Sequence, residues 1–344
     1  MARWCLFLLF SALAMVSGDE DDRPRNKLRH GNTPHHRSPF LGAAVYLVNK
    51  DVDMENRIVY RKKRLCGLRS SLEALAKHWR PHNPYPVILL NNQPFTNEQM
   101  KAIRKEFPTL DIMFANIANE FNILSESEVF EDHARPFYGI DYKRMCAYWF
   151  SEFLKTPTLM DYRYLFRLDD DTCILDPINY DIFKEMESRG VYYAYQALDY
   201  VPYFYAKELN NFTERYIAEN NITVANPYAR EIVNIRESKF SHPAYPAFLS
   251  NLEVIDTYRY RAPDIQHFLN AVMDSKNIFH KGWGDAFLRF TVGELFWGPH
   301  KILRLCEFSY QHSNWDIKQQ CEGRFHYNNL RRVLNVDYNI RCCE

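Results

Sequence analysis

The sequence predicts an α/β fold, in which a parallel sheet is flanked by helices. Nearly half of the 344 residues are apolar, which is enough for one continuous core. Segments with strand patterns alternate with segments of helical spacing, as in parallel strands joined by helical crossovers. The apolar run Tyr164–Leu168 stops abruptly at the acidic triplet Asp169–Asp171, and ligands of open α/β sheets bind where strands end.

The strands are predicted from short runs rich in branched and aromatic residues, and the helices from apolar residues three or four positions apart. The predicted strands are Leu41–Val48, Tyr85–Leu90, Leu110–Phe114, Tyr164–Leu168 and Val191–Tyr195. The predicted helices are about Asn56–Trp79, Glu98–Phe107, Tyr142–Leu154 and a helix that begins at Pro177. Thr96 supplies a capping residue for the second helix. Asp199–Glu237 is polar, and we predict a helical excursion with exposed loops there.

Residues 1–18 have the pattern of a secretory signal peptide. A cationic start at Arg3 precedes an apolar stretch, Trp4–Val16, that is too short to cross a bilayer comfortably. The same segment also fits a short, uncleaved signal anchor of the Golgi type. Residues 19–38 are charged and lack apolar periodicity, which predicts a disordered stem, and the folded lumenal domain is predicted at 39–344.

The balance of acidic and basic residues indicates which classes of binding partner to expect. Lys and Arg number 43, and Asp and Glu also number 43. This balance gives no reason to expect binding to nucleic acid or to an anionic membrane surface. Membrane contact is therefore predicted only through an N-terminal anchor.

The cysteines and sequons agree with a secretory compartment. Seven cysteines follow the signal segment: Cys66, Cys146, Cys173, Cys306, Cys321, Cys342 and Cys343. An oxidising lumen predicts disulfide bonds among them, and the odd number leaves at least one thiol free or intermolecular. Asn211-Phe-Thr213 and Asn221-Ile-Thr223 are N-glycosylation sequons and predict a glycoprotein.

Asp169 and Asp171 are predicted to share a divalent metal ion. Successive side chains of an extended segment point to opposite sides, so these two can face one point while Asp170 turns away. Two converging carboxylates repel each other unless a cation lies between them, and oxygen ligands suit Mg²⁺ or Mn²⁺. Such an ion also neutralises a diphosphate, which favours an enzyme whose leaving group is a nucleoside diphosphate. The competing interpretation is a solvated acidic turn.

Three later segments carry further polar side chains of interest. In the segment Phe248–Val254, Glu253 is flanked by apolar residues, where a carboxylate is costly unless it is paired or has a catalytic task. The segment Trp283–Asp285 combines an aromatic surface, a flexible turn and an acceptor, which suits sugar hydroxyls; a helix cap at Asp285 fits equally well. His312 is a third candidate ligand for the metal, although a single histidine is more often structural.

Six segments of the chain resemble the ordered motifs of the fungal glycolipid 2-alpha-mannosyltransferases, glycosyltransferase family fifteen. The segments are Tyr85–Thr96, Tyr142–Cys146, Tyr162–Asp171, Ser250–Glu253, Trp283–Ala286 and Tyr310–His312. Because six motifs occur in the same order, between about Phe40 and Trp315, the match is far more specific than any one of them.

The resemblance implies a GT-A-like nucleotide-diphospho-sugar transferase fold with a mixed, mostly parallel sheet, located in the Golgi lumen or secreted after signal cleavage. It also implies an Mn²⁺-dependent, retaining alpha-1,2-mannosyltransferase. Such an enzyme moves mannose from GDP-mannose to the 2-hydroxyl of an alpha-mannoside on a glycoprotein or glycolipid glycan. The acidic triplet departs from the family's Glu-Pro-Asp motif, because Asp171 matches its aspartate while Asp169 replaces its glutamate with a side chain one methylene shorter.

The resemblance also assigns roles by position. His312 falls on the family's metal-binding histidine, and Glu253 on the carboxylate proposed as nucleophile. Tyr142 falls on a tyrosine near the donor-acceptor cleft. The residues predicted to bind donor or acceptor are Tyr142, Arg167, Asn251 and Trp283. Asp285 is predicted to orient the acceptor as the second catalytic residue.

Retention of configuration admits two routes that the sequence does not separate. Glu253 attacks the sugar from below and forms a covalent mannosyl intermediate, or the acceptor hydroxyl arrives on the face that GDP leaves while Glu253 stabilises developing positive charge. Either route predicts that Glu253→Gln folds normally and loses most of its turnover. Asp285→Asn is predicted to weaken acceptor use more than GDP binding.

Two other functions fit the same residues. The altered acidic motif also fits a catalytically degenerate lumenal glycan-binding protein of the same fold, without metal-dependent turnover. A transferase that uses another GDP- or UDP-hexose fits as well, because the triplet recognises metal and diphosphate rather than base or sugar.

Overall fold

The computed structural model describes residues 40–48, 59–60, 63–64, 67–124, 139–227, 229, 244–312 and 315–317. The predicted signal segment and stem lie outside the described residues, as do Cys66 and the three cysteines after residue 317. Within the described ranges, Cys173 and Cys306 are disulfide-bonded and Cys146 is a buried free thiol. No helix in this part of the chain is both long and apolar enough to span a bilayer.

Strands and helices alternate along much of the chain. The strands are β1 (Phe40–Leu47), β2 (Val59–Tyr60), β3 (Lys63–Arg64), β4 (Val87–Asn91), β5 (Ile112–Asn116), β6 (Tyr162–Asp169), β7 (Thr172–Ile174), β8 (Tyr193–Tyr195), β9 (Leu198–Pro202), β10 (Ala244–Phe248), β11 (Leu252–Asp256), β12 (Ile302–Arg304), β13 (Tyr310–His312) and β14 (Trp315–Ile317). The helices are α1 (Leu68–His78), α2 (Asn97–Glu106), α3 (Ala118–Phe121), α4 (Ile140–Phe150), α5 (Ile182–Arg189), α6 (Tyr203–Glu219), α7 (Thr257–Tyr260), α8 (Pro263–Asp274), α9 (Asn277–His280) and α10 (Asp285–Phe296).

The central sheet contains seven strands in the order β12-β8-β11-β6-β1-β4-β5. β1 is parallel to β4 and β6, β4 is parallel to β5, and β8 is parallel to β12. β11 is antiparallel to both of its neighbours, β6 and β8. The predicted mixed, mostly parallel sheet flanked by helices is therefore confirmed. A separate small sheet joins β7, β13 and β14.

Alternate side chains of the sheet strands enter two cores, one on each face. On β1, Ala43 and Val45 belong to the first core, which packs under α4, α8 and α10, whereas Ala44 and Tyr46 belong to the second core, under α1, α2 and α5. The first face is the one that carries the polar site described below. On the second face, α5 packs directly on β1 because Gly42 has no side chain that would overlap the ring of Phe183.

The predicted first helix is wrong at Val59–Tyr60 and Lys63–Arg64. α1 begins at Leu68, and β2 and β3 form a hairpin within the predicted range, with Val59 opposite Arg64. Val59 and Tyr60 are residue types that favour strands, and their local pairing overrides the helical spacing of the segment.

Side-chain caps set the starts of two helices, and two further boundaries differ from the prediction. Thr96 caps α2 with a complete capping box, as predicted from its position. α5 begins at Ile182 rather than at Pro177, because the carboxylate of Asp181 accepts the backbone N–H groups of Phe183 and Lys184. α4 ends at Phe150, four residues before the predicted end, and a 3₁₀ turn follows. Leu198–Pro202, within the predicted helical excursion, is strand β9.

Candidate functional site

The acidic triplet lies where β6 ends and the chain turns into β7. β6 runs beside β1 as far as Asp169, whose backbone N–H donates to the carbonyl of Asn251 at 3.0 Å. Asp170 and Asp171 form the turn. The carboxylates of Asp169 and Asp171 therefore meet across a turn, whereas the sequence-based prediction assumed extended backbone. Asp170 turns away, as predicted, and its charge adds to burial in raising the pKa of Tyr46.

Strand pairing brings His312 to this turn. β13 is antiparallel to β7, with His312 opposite Thr172. Nε2 of His312 lies 3.2 Å from Oδ1 of Asp171 and 3.8 Å from Oδ2 of Asp169. One ligand atom from each of the three side chains lies within 4.8 Å of the others, and all three side chains are partly exposed. We call these three residues the acidic-histidine cluster.

The donor atoms of the acidic-histidine cluster fit a divalent cation. Two carboxylates and one imidazole suit Mn²⁺ or Mg²⁺, with positions left for phosphate oxygens. Burial lowers the pKa of His312, but the hydrogen bond and charge of Asp171 and the charge of Asp169 outweigh it, so that the pKa is raised. Burial raises the pKa of Asp169. The shift of His312 reflects the negative charge of the two carboxylates beside it, which a cation would offset.

Behind the cluster, Arg167 connects three carboxylates. It lies two residues before Asp169 on β6, so both side chains reach the first face. Its Nη2 donates to Asp169 at 3.2 Å, and its Nη1 donates to Glu253 at 3.1 Å and to Asp285 at 2.5 Å. The guanidinium is 1% exposed and lies 4.5 Å from the ring centre of Trp149. Burial lowers the pKa of Arg167, but the three carboxylates raise it more, so the side chain stays charged.

Glu253 is enclosed by hydrogen-bond donors. It lies on β11 directly opposite Arg167, and its side chain is 0% exposed. Oε1 accepts from Arg167 at 3.1 Å and from Nη2 of Arg289 at 3.2 Å. Oε2 accepts from the hydroxyl of Tyr193 at 2.7 Å and from Nε of Arg289 at 3.1 Å. The structure thus places Glu253 in a buried ion pair, which was the alternative to a catalytic task.

Asp285 is the first residue of α10, and the predicted helix cap at Asp285 is wrong, because Gly284 is the N-cap and no side chain of the described residues caps the helix. Its Oδ2 accepts from Arg167 and from the hydroxyl of Ser250 at 3.0 Å. Burial raises the pKa of Asp285, but the charge and hydrogen bond of Arg167 lower it more, and the net shift is downward. Because the carboxylate is 6% exposed, its position gives no support to the prediction that it orients an acceptor.

Asn251 links the strands of the site. Its backbone carbonyl accepts from the N–H of Asp169 and from the hydroxyl of Thr172 at 3.2 Å. Its side-chain oxygen accepts from the hydroxyl of Tyr310 on β13 at 2.8 Å. These bonds hold the acidic turn and the histidine-bearing strand in one arrangement.

The other residues predicted to bind donor or acceptor differ in accessibility. Tyr142 on α4 is 37% exposed. Trp283 is 1% exposed, and its ring packs against Phe212 with the ring centres 5.4 Å apart. Arg167 and Trp283 therefore have buried positions, and their predicted ligand contacts rest on the motif match alone.

Sequence reasoning missed Arg289 and Tyr193. Arg289 carried a usable signal, because α10 is apolar nearly all round and a charge within such a helix is costly unless it is paired. Tyr193 carried no such signal, because tyrosine is common in strands for packing reasons alone.

Asp176 fixes the segment that leads into β13. Its carboxylate accepts from the backbone N–H of Ser309 at 2.9 Å and also from the Ser309 hydroxyl. These hydrogen bonds lower the pKa of Asp176. Ser309, the residue that Asp176 holds, lies three residues before His312.

Replacing Asp176 with Asn is expected to lower the free energy of unfolding by about 1–2 kcal/mol at neutral pH. Because the folded-state pKa is depressed, this stabilisation is fully present above the unfolded pKa of about 3.9 and is lost as the pH falls through the folded value. Urea unfolding should therefore show the difference between wild type and variant shrinking below about pH 4. Asp161→Asn, at an exposed position, is the control. A difference that stays constant into strong acid would contradict the role of the carboxylate.

Comparisons with known proteins show the family of the chain. Residues 33–326 match the sequence model of the family described as glycolipid 2-alpha-mannosyltransferase. The glycolipid 2-alpha-mannosyltransferase of Saccharomyces cerevisiae is 25% identical over 275 residues, which cover 74% of this chain and 60% of that protein. The O-glycoside alpha-1,2-mannosyltransferase homolog 4 of Schizosaccharomyces pombe is 24% identical over 297 residues, covering 74% of this chain and 68% of that protein.

Two solved structures share the fold. The mannosyltransferase Ktr4p from S. cerevisiae has a TM-score of 0.69 at 21% identity, covering 82% of this chain and 72% of that one. Core-mannan synthase A from Aspergillus fumigatus, in an Mn/GDP form, has a TM-score of 0.65 at 20% identity, covering 81% and 76%. At these identities the likeness supports the fold, which is GT-A-like as expected. The family match spans most of the chain, and the chain belongs to the glycolipid 2-alpha-mannosyltransferase family.

Proposed function

We propose that this protein is a metal-dependent mannosyltransferase that moves mannose from GDP-mannose to an alpha-mannoside. One observation carries the proposal: Asp169, Asp171 and His312 converge at the end of a central strand in a chain of this family. The names of the relatives, and the Mn/GDP form of the Aspergillus structure, support the choice of sugar, nucleotide and metal.

The acidic-histidine cluster would hold Mn²⁺. When bound there, such an ion would supply positive charge to offset the diphosphate and the negative charge that develops on the departing GDP. The three side chains are partly exposed, so phosphate oxygens can approach them from solvent.

The protein's own contribution is a fixed set of charges behind that opening. Arg167 orients Asp169 through a hydrogen bond, and the guanidinium itself packs against the ring of Trp149. Asn251 holds the backbone of the acidic turn against β13, so the carboxylates and the imidazole keep their spacing. Tyr142, exposed on α4, is retained as the side chain proposed to contact the donor or acceptor.

The proposal includes retention at the anomeric carbon, the 2-hydroxyl of an alpha-mannoside as acceptor, and a location in the secretory lumen. The disulfide-bonded cysteines fit an oxidising compartment. Asn211 and Asn221, the acceptor residues of the two sequons, are both exposed, which fits glycan attachment.

A transfer assay tests the proposed function. The protein is incubated with a panel of GDP- and UDP-sugars, Mn²⁺ and methyl alpha-mannoside, and products are identified by mass spectrometry and NMR. We expect an alpha-1,2-linked dimannoside from GDP-mannose alone, and none after chelation of the metal. Product from another nucleotide sugar would overturn the assignment of GDP-mannose as the donor. Glycan binding without any product would favour the degenerate glycan-binding protein of the same fold.

A further inference from the structure

The buried ion pairs behind the acidic-histidine cluster point to residues that act on the reaction at a distance. We infer that Glu253 and Arg289 form a positioning pair, which acts on Asp169 through Arg167 and does not touch the sugar. This inference rests on the proposed function and deepens it. It assigns Glu253 a role other than that of the attacking carboxylate.

Glu253 is not arranged as a nucleophile. An attacking carboxylate needs a lone pair directed at open space near the anomeric carbon. Each oxygen of Glu253 instead accepts two hydrogen bonds, and the side chain is 0% exposed. An attack on a sugar would require the loss of at least one charge-assisted hydrogen bond and the opening of the core around it.

Arg289 is the residue that fixes Glu253. Its Nε and Nη2 donate to different oxygens of the carboxylate, which is the fork geometry that lysine cannot reproduce. Nη2 also donates to the carbonyl of Trp149 at 2.6 Å, and the guanidinium carbon lies 4.7 Å from the ring centre of Tyr260. α10 and α4 thus hold the guanidinium, and Arg289 in turn holds Glu253.

The effect passes on to the cluster through Arg167. Nη1 of Arg167 is shared by Glu253 and Asp285, which leaves Nη2 for Asp169. If Glu253 shifted, it would draw the guanidinium with it and change the contact to Asp169. An outer group of this kind sets the orientation of a metal-binding carboxylate without touching the ion.

Charge supports the same arrangement. Arg167 and Arg289 carry two positive charges, and Glu253, Asp285, Asp169 and Asp171 carry four negative charges. Before His312 is counted, these six groups have a net charge of minus two, which one divalent cation would balance. Arg289→Lys keeps this balance and removes the fork, so it tests geometry without changing charge.

The chain offers a matched control on the same two strands. Arg163 on β6 pairs with the buried carboxylate of Asp256 on β11 at 3.4 Å. Arg163 lies six residues before Asp169, about 20 Å away along an extended strand. Arg163→Lys therefore weakens an ion pair between β6 and β11 without touching the cluster.

The experiment compares wild type, Arg289→Lys and Arg163→Lys. Electron paramagnetic resonance measures Mn²⁺ binding without nucleotide, transfer kinetics give kcat and KM for GDP-mannose and methyl alpha-mannoside, and thermal unfolding reports the fold. We expect Arg289→Lys to weaken Mn²⁺ binding and to lower kcat, each about tenfold, with the KM for the acceptor near wild type. Arg163→Lys should lower the Tm and leave Mn²⁺ binding and kcat near wild type.

The outcomes separate the inference from the proposed function. Equal Mn²⁺ binding and kcat in wild type and in folded Arg289→Lys would overturn the inference and leave the mannosyltransferase proposal standing. So would a hexosyl adduct on the peptide that contains Glu253, trapped after incubation with GDP-mannose and Mn²⁺. A wild-type protein that binds Mn²⁺ but transfers no sugar would overturn the function, while the Mn²⁺ titrations would still decide the positioning role. A wild-type protein that binds no Mn²⁺ would overturn both.

Discussion

Replacing Asp171 with Asn is expected to abolish Mn²⁺ binding and to lower mannosyl transfer about a thousandfold. Asp171 lies 3.2 Å from His312 and supplies one of the two carboxylates of the cluster. A catalytic metal contributes several kcal/mol to charge stabilisation, and each 1.36 kcal/mol is about tenfold in rate. Electron paramagnetic resonance titration and the transfer assay measure the two losses, and circular dichroism checks the fold.

Asp170→Asn is the matched control for this prediction. Asp170 belongs to the same turn but lies outside the acidic-histidine cluster. Its replacement should change Mn²⁺ affinity and transfer by no more than about twofold. Equal losses in both variants would mean that the triplet supports the turn and does not bind the cation.

Replacing Glu253 with Gln is expected to lower the free energy of unfolding by about 3–5 kcal/mol, because it leaves two buried guanidinium groups without their shared counter-charge. This prediction replaces the sequence-based expectation that the variant folds normally. That expectation treated Glu253 as a side chain facing a cleft, whereas its carboxylate is 0% exposed between Arg167 and Arg289. Urea unfolding at neutral pH measures the change, and transfer should be normalised to the folded fraction.

Glu187→Gln is the control for burial. The carboxylate of Glu187 pairs with Arg163 at 2.8 Å but is 50% exposed. Exposed ion pairs contribute about 0–1 kcal/mol, so this variant should unfold close to wild type. Similar losses in the two variants would show that burial does not set the cost at Glu253.

The sequence could indicate that Asp169, Asp171 and His312 belong together, because the signals for these residues are local or belong to a motif. A strand that stops at consecutive carboxylates marks a sheet edge, and the resemblance supplied His312. The backbone conformation that brings Asp169 and Asp171 together was not predicted, because three consecutive aspartates are compatible with both a turn and an extended segment.

The buried network could not be predicted, because it depends on strand order. Arg167 meets Glu253 and Asp285 across 86 and 118 residues of chain. These contacts arise because β11 lies antiparallel between β6 and β8, and no residue pattern in the sequence specifies that position. The burial of Trp283 could not be predicted either. The sequence Trp-Gly-Asp is compatible with an exposed tryptophan that stacks on a sugar and with a tryptophan in the core.

The location of His312 on β13 has a consequence for synthesis of the protein. When a ribosome has translated as far as Arg304, the nascent chain already contains all seven strands of the central sheet, the acidic triplet and both buried arginines, but not the imidazole. The strands of the central sheet are therefore synthesised before the last residue of the acidic-histidine cluster. A cation held by all three side chains would therefore require that the ribosome has passed residue 312.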